Sequence, residues 1–125
     1  MAECLRFCLI GCGRAGLVHA RNLAWRTQRG QLAAVCDANP DAAGAAAREF
    51  GLDRVYADYR EAVRDAQVDA VVVVTPTFLH REVACAAAEA GKHIFLEKPM
   101  AITVEECEAI IGAASEAGVQ LQIGF

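Results

Sequence analysis

Residues 70–75 read AVVVVT, a run that is almost wholly β-branched. Such side chains lose rotamer freedom in a helix and pack well on a pleated surface, so the run predicts a strand. It has no polar alternation, so neither face is left for water. A strand covered on both faces belongs in the middle of a parallel sheet with helices above and below. This one stretch therefore points to an α/β fold.

The flanking sequence repeats the theme. LRFCLIG (residues 5–11), LAAVCD (32–37), the short Val55-Tyr56 pair, HIFLE (93–97) and VQLQIGF (119–125) predict five more strands. Helical stretches lie between them. The first is expected over about Arg14 to Gln28. Asn39 offers a cap and Pro40 suits the first position of the second, which should stop near Phe50 at Gly51. Asp58 and Glu61 have capping-box spacing and predict a helix to about Ala66. The next should run from about Leu79 to Ala90 and end at Gly91. Thr103 and Glu106 form a second capping box, with Ile102 and Cys107 placed for a hydrophobic staple. Val104, Cys107, Ile111 and Ala114 then line one helical face. Strand-helix alternation of this kind predicts a doubly wound parallel sheet, the Rossmann arrangement, with about six strands and helices on both faces. At 125 residues the chain suits one compact dinucleotide-binding domain, residues 1–125.

Composition removes several alternatives. The net charge is −4 with both signs mixed, and no Lys/Arg stripe suggests nucleic acid. No apolar run approaches the ~20 residues of a membrane-spanning helix. CLIGCG follows the N-terminus too soon for a secretory signal, so a cytoplasmic protein is expected. Six cysteines are present, none in a Cys-x-x-Cys pair. They are read as reduced structural thiols, with no metal site.

The chemistry centres on GCGRAG, Gly11 to Gly16, between the first strand and the first helix. Gly11 permits a tight turn, Gly13 lets backbone approach a pyrophosphate, and Gly16 lets the helix pack on the strand. The helix start adds free N–H groups and a partial positive charge. Arg14 and Ala15 lie inside the turn. Arg14 is read either as a phosphate or adenine contact or as a solvated side chain. Asp37 ends the second strand about twenty residues further on, where an acid meets ribose hydroxyls. Its charge favours NAD over NADP.

Two further strand ends border the same crevice. After the fourth, Thr75 and Pro76 could floor a nicotinamide ribose, and His80 is read equally as a site residue or as structure. His19, one turn into the first helix, is read as packing or surface. After the fifth strand stand Glu97, Lys98 and Pro99. A lysine there could hydrogen-bond a substrate hydroxyl and help move its proton. On the residues alone, an exposed Glu-Lys pair is the better reading.

GCGRAGLVHARNLA, AVCD, VDAVVVVTPTFLH, AAEAGKHIFLEKPMAIT and GVQLQIGF occur in order. Together they resemble the N-terminal domain of the glucose-fructose oxidoreductase / inositol dehydrogenase / MocA-type (Gfo/Idh/MocA) family. The wording is closest to inositol 2-dehydrogenase-like members. The resemblance implies NAD(P)-dependent transfer of hydride between the cofactor and a sugar or cyclitol hydroxyl. It implies Lys98 as the catalytic lysine, with Glu97 at the nicotinamide site and Pro99 fixing the turn, through a cis or a trans bond. Gly11, Gly13, Arg14, Asp37, Thr75 and Glu97 fall on its cofactor-binding positions.

Family members continue into a second α+β domain that binds substrate, supplies an Asp and a His, and often drives oligomer formation. That domain has no counterpart in these 125 residues. The expectation is cofactor binding without turnover by the chain as given, and a homo-oligomer for a full-length protein. The alternative from a different class is a non-catalytic dinucleotide-binding or sensing module. A methyltransferase would share the glycine turn and the acid, but gives no reason for Glu-Lys-Pro.

Overall fold

A computed structural model describes residues 4–124. Phe125, the end of the expected last strand, lies outside the described residues. Six strands form one sheet: β1 (Leu5–Ile10), β2 (Gly30–Cys36), β3 (Arg54–Tyr56), β4 (Ala70–Val73), β5 (His93–Leu96) and β6 (Leu121–Ile123). The spatial order is β3-β2-β1-β4-β5-β6, and every neighbouring pair is parallel. This is the doubly wound topology, with its order reversing between β1 and β4.

Residue alternation divides the core in two. Leu9, Val35 and Val72 point to one face, where they meet Ala20 of α1 (Arg14–Trp25) and Ala46 of α2 (Pro40–Phe50). Ile10, Val71, Val73 and Leu96 point to the other. There they meet Ala62 of α3 (Tyr59–Ala62), Val83 of α4 (His80–Glu89) and Ile110 of α5 (Val104–Ala117). All four residues of β4 are buried, as its composition requires. The alanines of α2 and α4 let these helices approach the sheet closely.

Several boundaries differ from the sequence reading. Helix α1 stops at Trp25, not Gln28. The Thr27 hydroxyl turns back to the carbonyls of Asn22 and Leu23, groups that continued helix would need. Helix α3 is one turn long. Asp58 caps it by accepting from the Arg60 N–H, while the Glu61 N–H bonds the Asp58 carbonyl, so no capping box forms. The chain after Thr75 first makes a 3-10 turn, Thr77–Leu79, and only then enters α4.

The Thr103–Glu106 capping box is present as expected. The expected apolar face of α5 is met only in part. Ala114 is buried and Cys107 half-buried, but Val104 and Ile111 are 69 % and 54 % exposed, and Ile110 is buried in their place. Ile102, the expected staple residue, is 64 % exposed. Helical periodicity allowed two overlapping apolar stripes on α5, and packing against α4 selected the one through Ile110.

Candidate active site at the carboxyl ends of the strands

The turn from β1 to α1 is built by close contact. Gly11 has φ +105°, and a Cβ there would lie 2.5 Å from the Val74 carbonyl oxygen. A Cβ on Gly16 would collide with the Gly11 carbonyl. Both glycines are therefore required by the fold itself. Gly13 is different: its φ is −78° and nothing lies within 4 Å of a Cβ built on it. The protein alone does not need glycine there, but a ligand lying against this backbone does. No side chain caps the start of α1 and its first turn carries no acid. Its N–H groups and the positive end of its dipole are left for an anion.

Asp37 holds this turn in place. Its Oδ2 accepts from the Cys12 N–H at 2.7 Å, and its Oδ1 accepts from the Asn39 N–H at 2.9 Å. One carboxylate thus joins the glycine turn to the start of α2. Beneath it, burial pushes the Cys12 thiol up to about 11 and the Cys36 thiol up to about 12. Both remain thiols at neutral pH and act as small apolar side chains.

A crevice of about 360 Å³ opens above the point where the strand order reverses. Gly11, Gly13, Asp37, Thr75, Pro76 and Tyr59 are among its walls. The Thr75 hydroxyl is buried with no hydrogen-bond partner among the described residues. The open face of Gly13, the uncapped helix start and this orphaned hydroxyl all fit a phosphate-bearing nucleotide. Arg14 and Ala15 are exposed on the first turn of α1 beside the crevice.

Glu97 and Lys98 follow β5, at the next strand end. The Glu97 carboxylate is pinned twice: Oε1 lies 2.9 Å from His19 Nε2, and Oε2 accepts the Lys98 N–H at 2.8 Å. The His19 hydrogen bond, with the Lys98 N–H second, holds the Glu97 carboxyl below its usual range. Phe95 supports the histidine, with ring centroids 5.1 Å apart. The Lys98 ammonium is exposed and has no hydrogen bond or salt bridge to another described residue. The Lys98–Pro99 bond is cis.

His80, a cofactor-site candidate that the sequence reads equally as structure, takes the structural alternative. It is buried to 1 % exposure, with both ring nitrogens against backbone carbonyls. It offers no surface to a ligand, because a residue opening α4 points back into the core under the Lys98 turn. His19 was read as packing or surface, and its contact with Glu97 went unseen. The available signal was its place one helical turn beyond Gly16, on the face that meets the sheet. Tyr59 carries no signal in the sequence, since only tertiary packing brings the start of α3 to this crevice. Among the described residues no cluster of His, Cys, Asp or Glu could hold a metal ion. No helix among them is long and apolar enough to cross a membrane.

A doubly wound parallel sheet with an open glycine turn and an acid after the second strand defines a Rossmann-type domain. A family model described as "Oxidoreductase family, NAD-binding Rossmann fold" matches residues 5–125. The chain belongs to that Gfo/Idh/MocA oxidoreductase family. It is 38 % identical over 125 residues to scyllo-inositol 2-dehydrogenase (NAD(+)) of Bacillus subtilis, covering 100 % of this chain and 36 % of the relative. It is 41 % identical over 118 residues to inositol 2-dehydrogenase 2 of Saccharopolyspora erythraea, covering 94 % and 35 %. The crystal structure of scyllo-inositol dehydrogenase from Lactobacillus casei with bound NAD(H) and scyllo-inositol superposes with a TM-score of 0.92. The identity there is 31 %, over 98 % of this chain and 36 % of that one. The chain therefore spans about a third of the length of these relatives.

Proposed function

We propose that this chain is the cofactor domain of an NAD-dependent dehydrogenase acting on a secondary hydroxyl of a cyclitol or sugar, inositol-like in class. One observation carries the reading. The single unpaired ammonium at the β5 end, that of Lys98, stands on a turn whose backbone is tied down by the neighbouring Glu97. An exposed charge on a fixed backbone is what proton transfer needs.

In this reading Gly13 and the start of α1 receive the pyrophosphate, Thr75 and Pro76 support the nicotinamide ribose, and Asp37 takes the adenosine ribose hydroxyls. Bound nicotinamide would supply hydride chemistry. Lys98 Nζ would hold the substrate hydroxyl, taking its proton as the neutral amine during oxidation and returning it from the ammonium in the reverse reaction. Glu97 and His19 keep the Lys98 backbone in register. Asp37 supports NAD over NADP, because its carboxylate repels a 2′-phosphate. Substrate walls, activity and assembly of homo-oligomers belong to a whole protein with a second domain, as in the longer relatives.

The test is Lys98→Ala in a full-length protein carrying this domain, assayed with scyllo-inositol and myo-inositol. The expected loss in kcat is about 10²–10⁴-fold, with NADH affinity within about twofold of the parent. Near-normal turnover removes Lys98 from the mechanism. NADH binding with no turnover of any polyol by the parent protein would instead identify a non-catalytic dinucleotide-binding module.

A further inference from the structure

His80 lies under the Lys98 turn. Its Nδ1 is 3.0 Å from the Pro99 carbonyl oxygen and 3.2 Å from that of Met100. On the other side Nε2 is 3.1 Å from the Thr75 carbonyl oxygen. The ring therefore spans the ends of β4 and β5, joining the proposed nicotinamide cradle to the turn that carries Lys98. It is 1 % exposed, so no water competes for these contacts. A neutral imidazole has one N–H to offer among the three carbonyls.

We propose that His80 is a positioning residue whose Nδ1–H donates to the Pro99 and Met100 carbonyls and so holds the Lys98 turn in its working place. This rests on the dehydrogenase reading for its consequence, though not for its geometry. Two carbonyls converge on Nδ1 and one on Nε2, and the Pro99 contact is the shortest of the three. The turn also has a second anchor, the Glu97 carboxylate on the Lys98 N–H. Glu97 ties down the residue before the proline, and His80 the proline itself and the residue after it. Lys98 is thus held from both sides while its own side chain stays free. A displacement of about 1 Å at a reacting group costs on the order of a hundredfold in rate, which is why such a latch matters.

Asparagine and glutamine separate the two arms of the ring. The Asn amide reaches where Nδ1 sits, and the Gln amide reaches where Nε2 sits. His80→Asn can keep a donor at the Lys98 turn, whereas His80→Gln moves its donor to the Thr75 carbonyl and leaves the Pro99 and Met100 carbonyls without one. Three measurements decide the matter. Long-range proton–nitrogen spectra of the unmutated chain should show the Nδ1–H tautomer at His80; the Nε2–H tautomer overturns the proposal without any variant having to fold. Hydrogen exchange at the Lys98 amide should accelerate by about tenfold in H80Q and stay near the parent rate in H80N. Equal exchange in both variants overturns it. In the full-length protein with scyllo-inositol, H80Q should lose about a hundredfold in kcat at unchanged NADH affinity, while H80N stays within about threefold. Equal turnover in the two also overturns it. A parent protein with no turnover of scyllo-inositol counts against the dehydrogenase reading alone, since the tautomer and the exchange rates still decide the role of His80.

Discussion

His19 Nε2 sits 2.9 Å from Glu97 Oε1, joining the second turn of α1 to the end of β5 across 78 residues of sequence. The contact is partly buried, with the two side chains 26 % and 25 % exposed. It couples the helix that carries the proposed phosphate site to the strand end that carries Lys98. Movement of one is therefore felt by the other.

That pair has a pH consequence. The folded Glu97 carboxyl titrates below its ordinary value of 4.5, chiefly through the His19 hydrogen bond. A carboxyl lowered on folding contributes stability that is present in full above the unfolded value. That stability is lost as pH falls through the lowered folded value. Glu97→Gln should therefore cost stability at pH 6 and cost less as the pH drops below 4, in denaturant melts at each pH. His19→Ala should move the Glu97 carboxyl titration upward, read from its carbon chemical shift. An unmoved titration would refute the coupling.

Two glycines of the turn, Gly11 and Gly13, should separate by experiment. Gly11→Ala meets a carbonyl oxygen at 2.5 Å and a φ of +105°, so it should destabilise by about 2 kcal/mol or more. Gly13→Ala meets nothing and should leave the melting temperature unchanged or slightly higher, since the unfolded chain loses freedom. Its NADH affinity should nevertheless fall by about tenfold or more, because a methyl group occupies the approach to the backbone. Calorimetric binding equal to that of the parent would move the pyrophosphate away from Gly13.

Asp37 carries two duties that asparagine and alanine distinguish. Asp37→Ala strands the Cys12 and Asn39 N–H groups. Cys12 is buried, so the expected cost is about 1–3 kcal/mol. Asp37→Asn keeps an acceptor for one of them but removes the charge. It should retain most of the stability while relaxing discrimination between NADH and NADPH. Binding of both cofactors by each variant is the measurement. Selectivity unchanged in Asp37→Asn would assign the carboxylate to structure alone.

Thr103→Ala serves as a control away from the crevice. It breaks the reciprocal cap at the start of α5 and should cost about 1 kcal/mol. For a domain of this size that lowers the melting temperature by about 4 °C. NADH affinity should not change. A loss of affinity would show that the start of α5 helps shape the cofactor crevice.

Much of this domain was legible before any coordinates. The β-branched run at 70–75 could only be a doubly covered strand, and Asn39-Pro40 and Thr103–Glu106 mark helix starts through bonds between near neighbours. Local chemistry of that kind acts within a few residues, so it is readable from order alone. The glycine turn was legible for the same reason. Helix ends were less so, because Thr27 closes α1 by reaching back for carbonyls that helix propensity assigns to continuation. The buried stripe of α5 was misjudged at Ile111, since two stripes satisfied the period and only the position of α4 chose between them.

The sequence by itself determined the parallel sheet, the order of its elements and the glycine turn between the first strand and the first helix. Each follows from propensity, periodicity or a short-range turn. Only the tertiary structure decided which of the two histidines stands near the surface of the site and which lies beneath it. His19 and His80 are each within the first turns of a helix and look alike in the chain. The sheet brings Glu97 to one and the Pro99 and Met100 carbonyls to the other. Contacts between residues far apart in order are set by the packing of whole elements, which no local stretch encodes.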